Sequence, residues 1–228
     1  MARIGMNGRR CRFESLENRR MMAGDVTAQL SHGNLIVKGD NFNNAITITA
    51  GVNPFEYVVT GVNDSNGIAT SVNGISNGAV TIPGVTKGVK LSMGLGNDNV
   101  TLSNVTFDGS VSLKGGQGAD NITLNNVTVN HNLSIKTGQG PDTVSVTNVT
   151  VASNAKIQTG GAHDEVTISG SDFGRLGVSL GKTDDSLSID TTTVTTSTTL
   201  NGGGGINTFT GGVSNFFGDF LKKNLSGD

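Results

Sequence analysis

The 228-residue chain has no tryptophan and one tyrosine, Tyr57. Aromatic platforms for stacking sugar rings are therefore scarce. Its one cysteine, Cys11, lies in an arginine-rich N-terminal stretch, so the rest of the chain offers no disulfide and no thiolate metal site. No run approaches the roughly 18 consecutive apolar residues of a membrane-spanning helix. The N-terminus also lacks the apolar core of an ordinary secretory signal. Only 15% of the residues are charged. Residues 1–23 set six arginines against Glu14 and Glu17, a net +4, while the whole chain is −2, which leaves −6 on residues 24–228. A mildly acidic body has no electrostatic footprint for nucleic acid.

Glycine is abundant, 34 of 228 residues, about twice the ordinary ~7%. Much of it recurs in acid-bearing turns. Asp98, Asp120, Asp142 and Asp164 recur at a constant interval of 22. They close Gly94-Leu95-Gly96-Asn97, Gly116-Gln117-Gly118-Ala119, Gly138-Gln139-Gly140-Pro141 and Gly160-Gly161-Ala162-His163. The register continues through Asp185, one residue early, to Asn207. A fixed period of this size marks a solenoid, in which equivalent side chains stack into ladders.

Three short apolar pairs recur with the same period. The first is Val100/Leu102, Ile122/Leu124, Val144/Val146, Val166/Ile168 and Leu187/Ile189. The second is Val105/Phe107, Val127/Val129 and Val149/Val151, reduced to Phe173 and Val194 further on. The third is Val89/Leu91, Val111/Leu113, Leu133/Ile135, Ala155/Ile157 and, slightly shifted, Val178/Leu180. Members of a pair sit at i and i+2, so both point to one face of a strand. Three inward faces per repeat describe a three-sided parallel coil. Asn104, Asn126 and Asn148 form a further column between the first and second strands. Asn suits such a corner because it tolerates the left-handed region and its amide can bond to neighbouring rungs.

The rung length and the asparagine column resemble those of the right-handed parallel β-helix, the pectate-lyase-like fold. The expected fold class is therefore all-β: a single-stranded parallel β-helix with 22-residue rungs and three short strands per rung. Its regular part is residues 89–212. Residues 26–88 alternate in period two without the register and are expected to form an irregular N-terminal β cap with irregular rungs. Val26 to Leu30 and Leu35 to Lys38 flank Ser31-His32-Gly33-Asn34 as a hairpin. Further strands are expected at Ala45 to Thr49, Tyr57 to Thr60 and Ala79 to Ile82. Residues 213–228 place Phe216, Phe217, Phe220, Leu221 and Leu225 at spacings that suggest a short amphipathic helical cap.

Residues 1–25 form a separate segment. Arg9-Arg10-Cys11-Arg12-Phe13-Glu14-Ser15-Leu16-Glu17-Asn18-Arg19-Arg20-Met21-Met22-Ala23 resembles the N-terminal motif of planctomycete extracellular proteins, roughly R-x-x-F-E-x-L-E-x-R-x-x-x-A. The resemblance implies export, with this segment as an address or anchor.

The strongest chemical candidate is the carboxylate column Asp98, Asp120, Asp142, Asp164 and Asp185. At ~4.8 Å per rung, such neighbours repel and raise one another's pKa unless a cation, a hydrogen bond or a proton relieves them. Gly115 to Thr123, GGQGADNIT, resembles the G-G-x-G-x-D-x-U-x nonapeptide of calcium-binding β-roll proteins. That resemblance implies Ca²⁺ as a candidate cofactor on the five aspartates. The family repeats its motif every nine residues, however, so a 22-residue recurrence supplies half of each cage. Asp shares the inward parity of the Val and Leu that follow it. That parity favours a side chain capping its own turn through N–H groups.

The resemblance to pectate-lyase-like folds also brings polysaccharide lyases and glycosidases to mind. Such sites need a wide groove, paired carboxylates at defined separation and usually aromatic platforms. The regular rungs carry no loop insertions, and Arg175 is the body's sole arginine. His163-Asp164-Glu165 resembles a metal or acid/base cluster, but His163 sits in a turn, and His32 and His131 lie elsewhere in register. Lys114 and Lys136 stack in one column and read as a solvated face. Outward Thr and Ser columns are interrupted by Asn, Asp, Lys and Gln, which argues against an ice-binding surface. The expectation is thus an exported, non-enzymatic structural or adhesive protein of the cell envelope or exterior. Its partners would be envelope or extracellular-matrix components, glycans included, and end-to-end self-association is a further option. A calcium-binding β-roll-like module and a β-helix polysaccharide-cleaving enzyme are the alternatives.

Overall fold

The computed structural model describes residues 24–227, so the leader expected at 1–25 lies outside the described residues except for its last two positions. Every regular element is a strand. The chain winds as a β-solenoid of about six turns with rungs about 22 residues apart. The apolar pairs explain this winding. Val100, Ile122, Val144, Val166 and Leu187 stack in register on neighbouring rungs, and Phe209 extends the row. Val89, Val111, Leu133 and Ala155 do the same on the third face. These side chains are almost fully buried. Each of the Val, Leu, Ile and Phe side chains contributes about 1.5–3 kcal/mol of apolar burial, enough in aggregate to hold a narrow core.

The first and second pairs lie on one continuous strand, such as Asn99–Phe107 or Asn121–Val129, bent between them at the asparagine column. Asn104, Asn126 and Asn148 have φ of 50°, 55° and 53°, and the same corner is taken by Gly170 at 58° and Thr191 at 47°. The amides form a ladder: Asn126 Nδ2 donates to Asn104 Oδ1 and Asn148 Nδ2 donates to Asn126 Oδ1, both at 3.1 Å. Replacing Asn126 by Ala is expected to cost about 1–2 kcal/mol, because alanine has neither the amide nor tolerance of this backbone region. Replacement by Gly should cost less, since only the amide bonds are lost. Thermal melts of the two variants check this, and equal losses would contradict it.

One rung is a residue short. Thr150 pairs with Asp172, but Asn154 pairs with Arg175, so the register drops a residue at the corner held by Gly174. A Cβ on Gly174 would stand 2.4 Å from the Ser153 carbonyl, so only glycine lets the chain cut this corner. The consequence is a correction on the third face. The pair stacked on Ala155/Ile157 is Leu176/Val178, not Val178/Leu180. Leu180 is nonetheless buried, one inward position further on. The same deletion makes Asp185 arrive one residue early.

The expected strands of residues 26–88 are all present. Asp25–Ser31 and Asn34–Lys38 form the hairpin, with His32 at φ 50° and Gly33 at 81° in its two-residue turn. Asn34–Lys38 and Ala45–Ala50 then begin the parallel stack, pairing with Gly88–Leu95 and Asn99–Phe107. Asn34 lies opposite Gly88, far outside the regular spacing, because the intervening chain forms a cap. In that cap Tyr57–Gly61 runs antiparallel to Ala45–Ala50, and Ala79–Ile82 antiparallel to Tyr57–Gly61. Tyr57 fastens the cap to the first regular rung. Its ring stacks on Phe107 at 5.0 Å and its hydroxyl donates to the Thr106 carbonyl at 2.9 Å.

The C-terminal expectation is corrected. Residues 213–228 form no helix among the described residues. They continue the solenoid, with Asn215–Phe216 and Asp219–Lys223 pairing parallel to Thr193–Asn201. The regular spacing holds here too: Thr193 faces Asn215 and Ser197 faces Asp219. The backbone hydrogen bonds offered by the preceding strand outweigh the helical spacing of a few phenylalanines.

Candidate functional site

The five aspartates expected to share a column do share one. Each is at most 2% exposed, and each points into the solenoid at the end of its glycine turn. The column is longer than five. Asn44 opens it and Asn207 closes it. The linking bond runs from rung to rung: the N–H of one residue donates to Oδ1 of the next. The steps are Asn44 to Asp98 (2.8 Å), Asp98 to Asp120 (2.9 Å), Asp120 to Asp142 (2.8 Å), Asp142 to Asp164 (2.9 Å), Asp164 to Asp185 (2.9 Å) and Asp185 to Asn207 (2.9 Å). The carbonyls of the same aspartates accept N–H groups from the residue after the next aspartate, as Asp98 does from Asn121 and Asp120 from Thr143. Each aspartate thus ties its rung to both neighbours. The parity of the sequence predicts a cap within each aspartate's own turn. The structure places it one rung away.

The other carboxylate oxygen is left alone. Oδ2 of Asp98, Asp120, Asp142, Asp164 and Asp185 is buried without a hydrogen-bond partner. A buried, half-satisfied carboxylate favours its neutral form. Burial pushes Asp120 up to about 7, helped by the charges of Asp98 and Asp142, while the N–H bond from Asp98 pulls the other way. Burial likewise raises Asp98 and Asp164 to about 6 and shifts Asp142 and Asp185 upward. Asp98, Asp164 and Asp120 therefore give up their protons between about 6 and 7, well above the ordinary aspartate range.

Inward threonines, absent from the expected site, share the space beside the column. Thr137 and Thr159 are buried, and the Thr137 hydroxyl donates to the Thr159 carbonyl at 3.1 Å. The Thr159 hydroxyl likewise donates to the Leu180 carbonyl, so both hydroxyls are spent on backbone and leave the neighbouring Oδ2 atoms without a partner. Gly115 holds the equivalent place one rung earlier, where a Cβ would stand 2.2 Å from Asp120 Oδ2. The signal that could have found them is a threonine five positions before Asp142 and again before Asp164, where Asp98 and Asp185 have Met93 and Leu180. Asn44 carries no such signal, because its offset from Asp98 is 54 residues.

Calcium takes six to eight oxygens at about 2.3–2.6 Å. The column presents one carboxylate per rung, with Oδ1 committed to a backbone N–H and the aspartate carbonyls committed to the next rung. Among the described residues no group of three or more His, Cys, Asp or Glu side chains converges as a metal site. This donor set fits inter-rung capping rather than a resident calcium ion.

The remaining candidates do not converge on this column. His163 and Glu165 are exposed while Asp164 points inward, so the three do not form a cluster. The His163 ring meets the Asp184 carbonyl. His32 and His131 are exposed on separate corners. Lys114 and Lys136 stack in register and face solvent. Arg175 borders a shallow depression of about 450 Å³ with Lys156, Gln158, Gly177, Ser179 and Asn201, and no carboxylate lines it.

No helix among the described residues is long and apolar enough to cross a membrane. No curated protein and no solved structure matches the chain. A family model described as planctomycete extracellular does match, over residues 7–26, so the leader in front of this solenoid carries the planctomycete extracellular motif.

Proposed function

We propose that the chain is an exported, non-enzymatic β-solenoid that serves as a structural or adhesive spacer at the cell envelope or exterior. The observation that carries this reading is the extracellular motif at residues 7–26 placed directly before a continuously stacked rod. Its mechanism is passive. Apolar pairs fill the interior, the aspartate and asparagine columns pin neighbouring rungs, and the outer faces present rows of hydroxyl and amide groups. Envelope or matrix components, glycans among them, are the partners such a surface suits, because many weak polar contacts repeated at the rung spacing add up through multivalency.

Export is tested by expressing the full chain and a form lacking residues 1–23 in a planctomycete host. The full chain is expected in the envelope or medium and the shortened form inside the cell. Retention of both in the cytoplasm would contradict the reading. Incubation with a panel of polysaccharides separates spacer from enzyme. A spacer releases no new reducing ends or unsaturated sugars, whereas release of product would establish the polysaccharide-cleaving alternative.

A further inference from the structure

The two ends of the solenoid differ. The N-terminal end is closed by antiparallel strands, Asp25–Ser31, Tyr57–Gly61 and Ala79–Ile82. At the other end Asp219–Lys223 pairs with Thr193–Asn201 along one edge, and no strand among the described residues pairs with its other edge. This last rung is unusually apolar for an exposed surface. Phe217, Phe220 and Leu221 are 58%, 45% and 57% exposed. Phe220 lies against Phe216 with ring centres 5.0 Å apart. An unpaired strand edge beside exposed aromatic residues is a template for another strand.

The sequence of the edge is complementary to itself when reversed. Asp219-Phe220-Leu221-Lys222-Lys223, paired antiparallel with a second copy about Leu221, sets Asp219 opposite Lys223 and Phe220 opposite Lys222, each twice. Directly opposed side chains in such a pair lie about 4.5–5.5 Å apart, close enough for ion pairs on one face and cation–π contacts on the other. Lys222 already lies 5.0 Å over the Phe209 ring. Parallel, head-to-tail addition has no such match. Lys222 stands over Leu200, at an inward position. The N-terminal end offers antiparallel strands in place of a matching edge.

We propose that this C-terminal rung docks a second copy of the chain by antiparallel pairing of the two Asp219–Lys223 strands about a twofold axis at Leu221. A symmetric contact of this kind closes on itself and gives dimers, not fibres. The inference does not depend on the proposed export or spacer role.

The test is sedimentation of the full chain over a range of micromolar concentrations, with two variants beside it. The wild type should form dimers that dissociate on dilution. Asp219→Lys places lysine opposite lysine and should weaken dimerisation by about tenfold or more. Asp219→Lys/Lys223→Asp restores the opposite charges in reversed order and should restore the dimer. Because both positions are exposed, circular dichroism should be the same for all three proteins. A wild type that stays monomeric would overturn the proposal. So would dimers indifferent to Asp219→Lys, a double variant no better than the single one, or an open-ended series of larger species.

Discussion

Gly138→Ala is expected to lower the melting temperature by about 10 °C or to prevent soluble expression, while Gly161→Ala in the turn of the next rung leaves stability nearly unchanged. Gly138 stands at φ +123°, and an added Cβ would sit 2.1 Å from the Gly116 carbonyl oxygen of the previous rung. Gly160 repeats the arrangement on Gly138, and Gly116 on Gly94, with equally short approaches. The obstacle is backbone on both sides, so no side chain can swing away. Relief requires the rungs to part at the corner where Asp120 and Asp142 are joined. Overpacking and the strained backbone together cost on the order of 4 kcal/mol. Gly161 has nothing within 4 Å of an added Cβ. Thermal melts of the pair decide the matter. A Gly138→Ala protein melting within a degree or two of wild type would mean that the turns are not packed backbone to backbone.

Raising the pH from 5 to 8 should also destabilise the solenoid, by about 10 °C in melting temperature. The sign follows from the raised pKa values. An aspartate ordinarily titrates at 3.8, but in the folded column Asp98 and Asp164 titrate at about 6 and Asp120 at about 7. Between these limits the folded state holds more protons than the unfolded chain, so stability falls as pH rises. The column's contribution is fully present below the unfolded value. It is lost as the folded groups ionise, and the curve flattens above neutrality. Each tenfold change in a group's proton affinity corresponds to about 1.4 kcal/mol, and mutual repulsion along the column spreads the loss over a broad pH range. Melts across this range should show the fall, whereas a flat or rising profile would mean that the carboxylates stay ionised and compensated.

The periodic features of the fold were legible in the sequence. The apolar pairs at i and i+2 fixed which side chains face inward, and the regular spacing of Asp98, Asp120, Asp142 and Asp164 placed them in one column. The inward parity of these aspartates also favoured a capping role, while calcium stayed a candidate on the same column. The expectation failed where periodicity breaks. Asn44 belongs to the column, but the inserted cap hides it behind a 54-residue offset. The deletion at Gly174 moved the third-face pair from Val178/Leu180 to Leu176/Val178. At Phe216 and Phe220, a local spacing that suits a helix competed with strand edges waiting one rung earlier, and the strand edges prevailed. The direction of the aspartate bonds, to the neighbouring rung instead of the same turn, depends on three-dimensional stacking that no single turn encodes.

The most direct test of the column as an inter-rung cap is a thermal melt at pH 8 of wild type and of Asp120→Asn/Asp142→Asn, each in chelator and in millimolar calcium. Asparagine keeps the Oδ1 acceptor and removes the buried charge, and Asn44 and Asn207 already occupy the ends of the column with their amides hydrogen-bonded. The asparagine variant should melt above wild type, and calcium should move neither protein. A calcium-dependent rise of several degrees in wild type that the variant loses would contradict the cap and make the column a metal site.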